Sequence, residues 1–207
     1  QNLAEQVTVA ARSQATLDIM LKLGLTTFAT LDVSEAVKNA DLVILCTPLS
    51  AYKNIAQTIS CALKPGAIVS DVGSCKNIMF SDVAPYLPDN VHMVPGHPVA
   101  GTEHSGPKAG YAELFKDRWC ILTPGPEANQ EAVEQVVELW RKLGMDVEIM
   151  DADHHDQVLA LTSHLPHLIA YTIVGTATNL EDDLKKEVLK YSASGFRDFT
   201  RIASSDP

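Results

Sequence analysis

Along the first two thirds of the chain, short β-branched runs alternate with stretches whose apolar residues recur every three to four positions. Val7–Ala11, Leu42–Cys46, Ala67–Ser70, His92–Val94, Cys120–Leu122 and Val147–Ile149 read as strands. Gln14–Leu23, Ser34–Asn39, Ile55–Leu63 and Glu131–Leu143 read as the helices between them. Asp32 or Ser34 can cap the second of these helices, and Gly144 stands where a helix-ending glycine belongs. Strands alternating with crossover helices predict an α/β domain over residues 1–150. Its expected form is a doubly wound, mostly parallel sheet, with ligands at the carboxyl ends of the strands.

From Asp151 the strand signal stops. "DADHHDQVLALTSHLPHLIAYTIVGTATNL" opens with carboxylates that complement a helix N-terminus, and its apolar positions nearly encircle the helix axis. An all-helical region is therefore expected over 151–207, with much of its surface buried against another subunit. The acidic start reads as a helix start rather than a metal site, because ligands on adjacent positions would fan out; no metal is predicted. A dinucleotide domain begins with a strand, a glycine-rich turn and a helix, yet no GxGxxG occurs. The first βα unit is thus expected to be missing, and "SSDP" breaks off a helical pattern, so both regions are read as incomplete.

Composition narrows the class. With 46% apolar and 20% charged residues over 207 positions, the chain has the make-up of a soluble globular protein. A net charge of -10, with sixteen scattered Lys and Arg, argues against a nucleic-acid or anionic-membrane surface and for small-molecule partners. Cys46, Cys61, Cys75 and Cys120 lack CxxC spacing and lie in or beside apolar runs, which predicts buried, reduced thiols in a cytoplasmic protein. No apolar run is read as approaching the roughly 18 residues of a membrane span.

The strand ends carry the candidate chemistry. After the first strand comes Arg12-Ser13, where such folds place a carboxylate for the ribose 2'-hydroxyl. A guanidinium there suits a 2'-phosphate and points to NADP, with NAD as the alternative; a solvated arginine at a helix start reads nearly as well. Thr47-Pro48 follows the next strand, and "DVGSCK" the one after, where Gly73 lets backbone approach a ligand and Ser74 presents a hydroxyl at a helix start. In "VPGHPVAGTEHSG", Pro98 biases His97 toward an extended conformation. An imidazole so placed can accept a hydroxyl proton as hydride leaves the same carbon. Farther on, His164 and His167 in "SHLPH" share a helix face, and Pro166 should kink that helix. Arg197 and Arg201 stand at i,i+4 with Asp198 set to brace one of them, either an anion trap or a solvated, salt-bridged face.

"DVGSCK", "GHPVAGTEHSG", "SHLPH" and "GFRDFTRIASSDP", in this order and at these separations, closely resemble the prephenate and arogenate dehydrogenase family of tyrosine biosynthesis, including its cyclohexadienyl dehydrogenases. The resemblance covers about Val7 to Pro207. It implies a Rossmann-type domain followed by a helical dimerisation domain, and a homodimer formed through the helices. It also implies that His97 is the catalytic histidine, bonded to the substrate's ring hydroxyl, with Ser74 orienting it and Glu103 lining the same cavity. His167 and Arg201 would bind the substrate's carboxylates with His164 nearby, Arg197 would match a basic position of the family, and Asp198 would gate access. Prephenate and arogenate differ by a keto oxygen against an ammonium, and Asp117 or Glu103 could favour the latter. Two other readings stand beside this one: a β-hydroxyacid dehydrogenase of the 6-phosphogluconate type, and a cofactor-free binding or regulatory module.

Overall fold

The computed structural model describes residues 3–101, 106–192 and 194–204. In chain order the elements are β1 (Thr8–Ala10), α1 (Gln14–Lys22), β2 (Phe28–Thr30), α2 (Val33–Val37), β3 (Leu42–Leu45), α3 (Tyr52–Ile59), β4 (Ile68–Asp71), β5 (His92–Met93), β6 (Gly96–Pro98), β7 (Trp119–Leu122), α4 (Gln130–Lys142), β8 (Asp146–Ile149), α5 (Ala152–Leu159), α6 (Leu165–Thr178), α7 (Asp182–Tyr191) and α8 (Ser194–Thr200). They fall into two units. The first runs through Asp156 and the second begins at Gln157, so the chain passes from one to the other within α5.

The first unit is the expected α/β domain. Its strands form three ladders: β1 with β2, β3–β4–β5, and β6–β7–β8. All pairings are parallel except β6 against β7. β4 shows why the sheet must be covered on both faces, since all four of its residues are buried. Successive side chains of a strand point to opposite faces. Accordingly Val69 packs in one core with Val37, Leu45, Tyr52, Ala56 and Ile59, while its neighbour Ile68 packs in a second core with Val94, Leu122, Val133, Val136 and Trp140. A strand buried on both sides reads as a continuous apolar run, as Ala67–Ser70 does.

α4 illustrates how local sequence sets an element. Asn129 caps its start by accepting the Ala132 amide at 2.9 Å, and Gly144 ends it at φ 92°, a conformation that favours glycine. Between them Ala132, Val133, Val136, Val137 and Trp140 form one buried stripe. Burying each of the larger side chains is worth about 1.5–3 kcal/mol. Asp32 caps α2, accepting the Ser34 amide at 2.8 Å and the Glu35 amide at 3.3 Å.

Two strands escaped the sequence reading. β2 is three residues long and carries the exposed Phe28, so no alternation develops. β6 is Gly-His-Pro, a poor strand by propensity; it exists because Gly96, His97 and Pro98 pair with Leu122, Ile121 and Cys120 of β7. Asp117, considered above for substrate choice, is exposed, takes φ 57° and donates its amide to the Gly144 carbonyl. The thiols also differ from expectation: Cys46 and Cys61 are exposed, Cys75 is half-buried and Cys120 alone is buried, with no disulfide recorded for these four. Burial pushes the Cys120 thiol up to about 12.

The second unit is helical, with α6 packed against α7, α8 and the final 3-10 turn. Pro166 does not end the helix. A π-helical turn over Ala160–His164 precedes α6 and absorbs the missing amide donor, so helical backbone continues into it. Among the described residues of α6 only Ala170 is classed as buried, and Leu168 and Ile169 are exposed, as is Leu161 in the π turn. Contrary to the sequence reading, one helical stretch, Ala152–Thr178, is long and apolar enough to cross a membrane by length and composition.

Candidate active site

The carboxyl ends of the parallel strands bring several predicted residues together. In the β3–β4 ladder Leu45 lies opposite Asp71, so Thr47-Pro48 and Gly73-Ser74 leave neighbouring strands at the same edge. Asp71 organises that edge. Its Oδ2 accepts from the Tyr52 hydroxyl at 3.0 Å, the Gly73 amide at 2.9 Å and Lys76 Nζ at 2.5 Å, while its Oδ1 accepts the Gly96 amide at 3.0 Å. Lys76 Nζ also donates to the Gly96 carbonyl at 2.6 Å. Both backbone groups of Gly96 are therefore held by one buried ion pair, and the next residue is His97.

Burial pulls the Lys76 ammonium below its usual range, with Asp71 opposing that shift. Such a pair adds little to stability compared with apolar side chains, but losing one partner leaves a buried charge alone. Its evident role is to fix the "DVGSCK" turn to β6. Gly73 is required here for an internal reason: a Cβ would lie 2.8 Å from the Tyr52 hydroxyl and 2.9 Å from Asp71 Oδ2, and closer still to the Leu49 side chain. Ser74 is exposed. It caps no helix, since helical backbone begins at Asn77, three residues later than the sequence suggested.

His97 is half-buried on β6, extended as Pro98 requires. Its Nδ1 lies 2.9 Å from Nε2 of His155, and the rings meet edge-on at 5.1 Å between centroids. His155 is fully buried, and its Nδ1 lies 2.8 Å from Asp156 Oδ1. That same oxygen accepts the Lys76 amide at 2.7 Å, and Oδ2 accepts the Asn77 amide and Asn77 Nδ2, both at 3.0 Å. Burial works to raise the Asp156 carboxyl, but the two amides and the His155 ring outweigh it and hold the group below the usual carboxylate range.

His155 and Asp156 were not singled out from the sequence. They sit in "DADHHD", which the structure confirms as a helix start, with Asp151 accepting the Asp153 and His154 amides at 2.9 and 3.1 Å. The available signal was the second histidine of the pair, one turn into a helix that must pack on the sheet; an exposed dipole-complementing run has no need of it. A cleft of about 160 Å³ opens nearby, lined by Asn77, Phe80, Pro124–Pro126 and Asp151–Asp153, and none of the predicted site residues borders it.

On the nucleotide side, Arg12 follows β1 and is exposed. Ser13 caps α1, accepting the Thr16 amide at 3.2 Å and bonding the Thr16 hydroxyl at 2.9 Å. Thr47 and Pro48 are exposed.

The second unit carries the remaining candidates. His164 closes the π turn, and His167 on α6 donates from Nδ1 to the Ser163 carbonyl at 2.8 Å. Arg197 is exposed on α8, and Arg201 opens the 3-10 turn that follows. Among the described residues no ion pair joins Asp198 to Arg197. Glu103 lies outside the described residues. Among the described residues no group of three or more His, Cys, Asp or Glu is arranged to hold a metal.

Residues 1–149 match the family described as "Prephenate dehydrogenase, nucleotide-binding domain", and residues 151–207 match "Prephenate dehydrogenase, dimerization domain". A cyclohexadienyl dehydrogenase of Zymomonas mobilis is 44% identical over 176 residues, which is 85% of this chain and 60% of that protein. A prephenate dehydrogenase of Bacillus subtilis is 34% identical over 188 residues, 90% of this chain and 50% of that protein. The chain thus spans about half to three fifths of the length of these relatives. Among solved structures, prephenate dehydrogenase from A. aeolicus in complex with hydroxyphenyl propionate and NAD+ superimposes with a TM-score of 0.89 at 30% identity, covering 100% of this chain and 71% of that one. Synechocystis arogenate dehydrogenase follows at 0.79 and 27% identity, covering 98% and 72%. Since the two family matches account for nearly every residue from Gln1 to Pro207, the chain belongs to the prephenate dehydrogenase family.

Proposed function

We propose that the full-length protein carries out the oxidative decarboxylation of prephenate, arogenate or both with NAD(P)+, giving 4-hydroxyphenylpyruvate or tyrosine, as a cytoplasmic enzyme of tyrosine biosynthesis. The observation that carries this reading is His97, an imidazole placed at a strand edge by a buried ion pair and hydrogen-bonded through Nδ1 to a buried histidine. A nicotinamide dinucleotide, when bound, supplies the hydride acceptor. His97 takes the proton of the ring hydroxyl as hydride leaves the same carbon, and Ser74 orients that hydroxyl. The oxidised ring then releases its carboxylate as CO2 and becomes aromatic, which makes the reaction effectively irreversible. Positioning and charge complementarity are what the protein must provide. His167 and Arg201 are assigned to the substrate's carboxylate ends with His164 nearby, Arg197 to a basic position of the family, Glu103 to the lining of the substrate cavity and Asp198 to gating access.

The cofactor is assigned as NADP, with NAD as the alternative. Arg12 and Ser13 follow β1 where the adenosine ribose of a dinucleotide is held in this fold, and Thr47, Pro48 and Gly73 lie at the carboxyl ends of the neighbouring strands. A boundary between residues 150 and 151 separates the nucleotide domain from the helical one. The exposed Leu161, Leu168 and Ile169 are the surface through which a homodimer would form, removing the apolar stretch from water.

The test is to titrate the full-length protein with NADP and NAD and follow nicotinamide reduction on adding prephenate or arogenate, for wild type and His97→Asn. Turnover within about tenfold of wild type, or about 1.4 kcal/mol of barrier, in the variant would remove His97 from the chemistry.

A further inference from the structure

We propose that His155 and Asp156 are positioning residues that fix the tautomer of His97, placing hydrogen on its Nδ1 and leaving the Nε2 lone pair to act as the base. The inference deepens the reading above and rests on His97 being that base. It follows from counting donors and acceptors along one hydrogen-bonded chain.

Asp156 receives four donors: the Lys76 amide and His155 Nδ1 on one oxygen, the Asn77 amide and Asn77 Nδ2 on the other. A carboxylate so surrounded has its lone-pair sites filled and no room for a proton of its own. His155 must then present N–H from Nδ1, because a bare Nδ1 would set two lone pairs against each other at 2.8 Å. A neutral imidazole with hydrogen on Nδ1 has only a lone pair on Nε2. With His155 neutral, that lone pair faces His97 Nδ1 at 2.9 Å and His97 donates from Nδ1. The opposite tautomer of His97 would set the lone pairs of its Nδ1 and of His155 Nε2 against each other at 2.9 Å.

The arrangement serves both halves of a proton transfer. Before it, the correct ring nitrogen is unprotonated. After it, the His97 imidazolium still donates to His155, whose other nitrogen is paired with a carboxylate. The substrate hydroxyl proton ends on His97 Nε2, and the hydride goes to the dinucleotide, so charge and atoms balance. Other ionisable groups lie around this chain: Lys76, held by Asp71; Asp153, which accepts from Asn77 Nδ2; Asp151 at the helix start; and the Cys75 and Cys120 thiols, both pushed up by burial.

The experiment uses full-length enzyme labelled with 15N-histidine, in which two-bond proton–nitrogen spectra read the tautomer of each neutral ring and His97→Gln assigns the His97 signals. Hydrogen on Nδ1 of His97 in the wild type is expected; hydrogen on Nε2 would overturn the proposal without any further variant. His155→Phe removes the acceptor at similar shape. It should leave His97 in mixed tautomers, lower kcat by about tenfold or more with a smaller change in KM, and move the acid limb of the kcat profile to lower pH, since the imidazolium loses its acceptor. His155→Gln keeps a carbonyl oxygen for His97 Nδ1 and should recover kcat to within about threefold of wild type. An unchanged kcat and acid limb in His155→Phe would sink the proposal. If His97→Asn itself retained turnover, the base assignment would fail instead, and the wild-type spectrum would still report the tautomer.

Discussion

Asp71 and Lys76 form an ion pair at 2.5 Å in which both side chains are wholly shielded from solvent, and between them they hold the amide and the carbonyl of Gly96. The pair ties the turn after β4 to the strand that bears His97.

Replacing Asp71 by Asn should destabilise the protein by about 3–5 kcal/mol, because the Lys76 ammonium is left buried without a counter-charge. The loss should depend on pH in a defined direction. Burial already lowers Lys76 from its ordinary 10.5, and without Asp71 it falls further. The unfolded state then binds more protons than the folded state, so the stability of the variant rises as pH climbs toward 10.5. Urea unfolding between neutral pH and pH 9 checks this, and a midpoint that does not move with pH in Asp71→Asn would contradict it.

Gly73→Ala should cost about 1–3 kcal/mol through overpacking. The added methyl meets the Tyr52 hydroxyl, Asp71 Oδ2 and the Leu49 side chain. Only Leu49 is apolar and able to give way, so Leu49→Ala in the same chain should recover part of the loss. Thermal melts of the single and double variants decide; equal melting temperatures for wild type and Gly73→Ala would show that the turn is not crowded.

Asp156 has a carboxyl held below its ordinary value of 3.8. A lowered acid contributes stability that is present above that ordinary value and is lost as pH falls through the folded one. Wild type should therefore lose a step of stability below about pH 4 that Asp156→Ala lacks, and the two proteins should converge in urea midpoint toward pH 2. Parallel curves over that window would count against the hydrogen bonds drawn to this carboxylate.

Arg12→Ala should raise KM for NADP by about tenfold, equivalent to about 1.4 kcal/mol, while leaving KM for NAD within about twofold. Steady-state kinetics of the full-length enzyme with each cofactor measure it. Equal changes for both would mark Arg12 as a solvated residue at a helix start.

Much of the fold was legible because it is written in short-range patterns. β3, β4 and β7 are largely β-branched or apolar runs, β8 alternates Val147 and Ile149 with charged residues, α4 repeats its apolar residues on one stripe, and Asp32 and Gly144 stand where backbone geometry wants them. The site was legible in part for the same reason: Pro98 extends His97 whatever else happens. β2 and β6 were not legible, because three residues carry no period and Gly-His-Pro has no strand preference of its own. The π turn before Pro166 was likewise hidden, since a chain can answer a missing amide by a kink or by widening the helix, and the local sequence does not choose.

What the chain determined alone was therefore the alternation of strands and helices, the helix caps and an extended histidine at a strand edge, all effects that reach only a few residues along the backbone. Tertiary structure decided the partners. Lys76 became a buried cation only because the fold closed Asp71 and Gly96 around it. His155 became the neighbour of a histidine 58 residues away only because α5 begins against the sheet where Lys76 and Asn77 offer their amides to Asp156. Hydrogen bonds and ion pairs between distant residues depend on separations that no local pattern encodes, and here they set the charge and orientation of the groups that would do the chemistry.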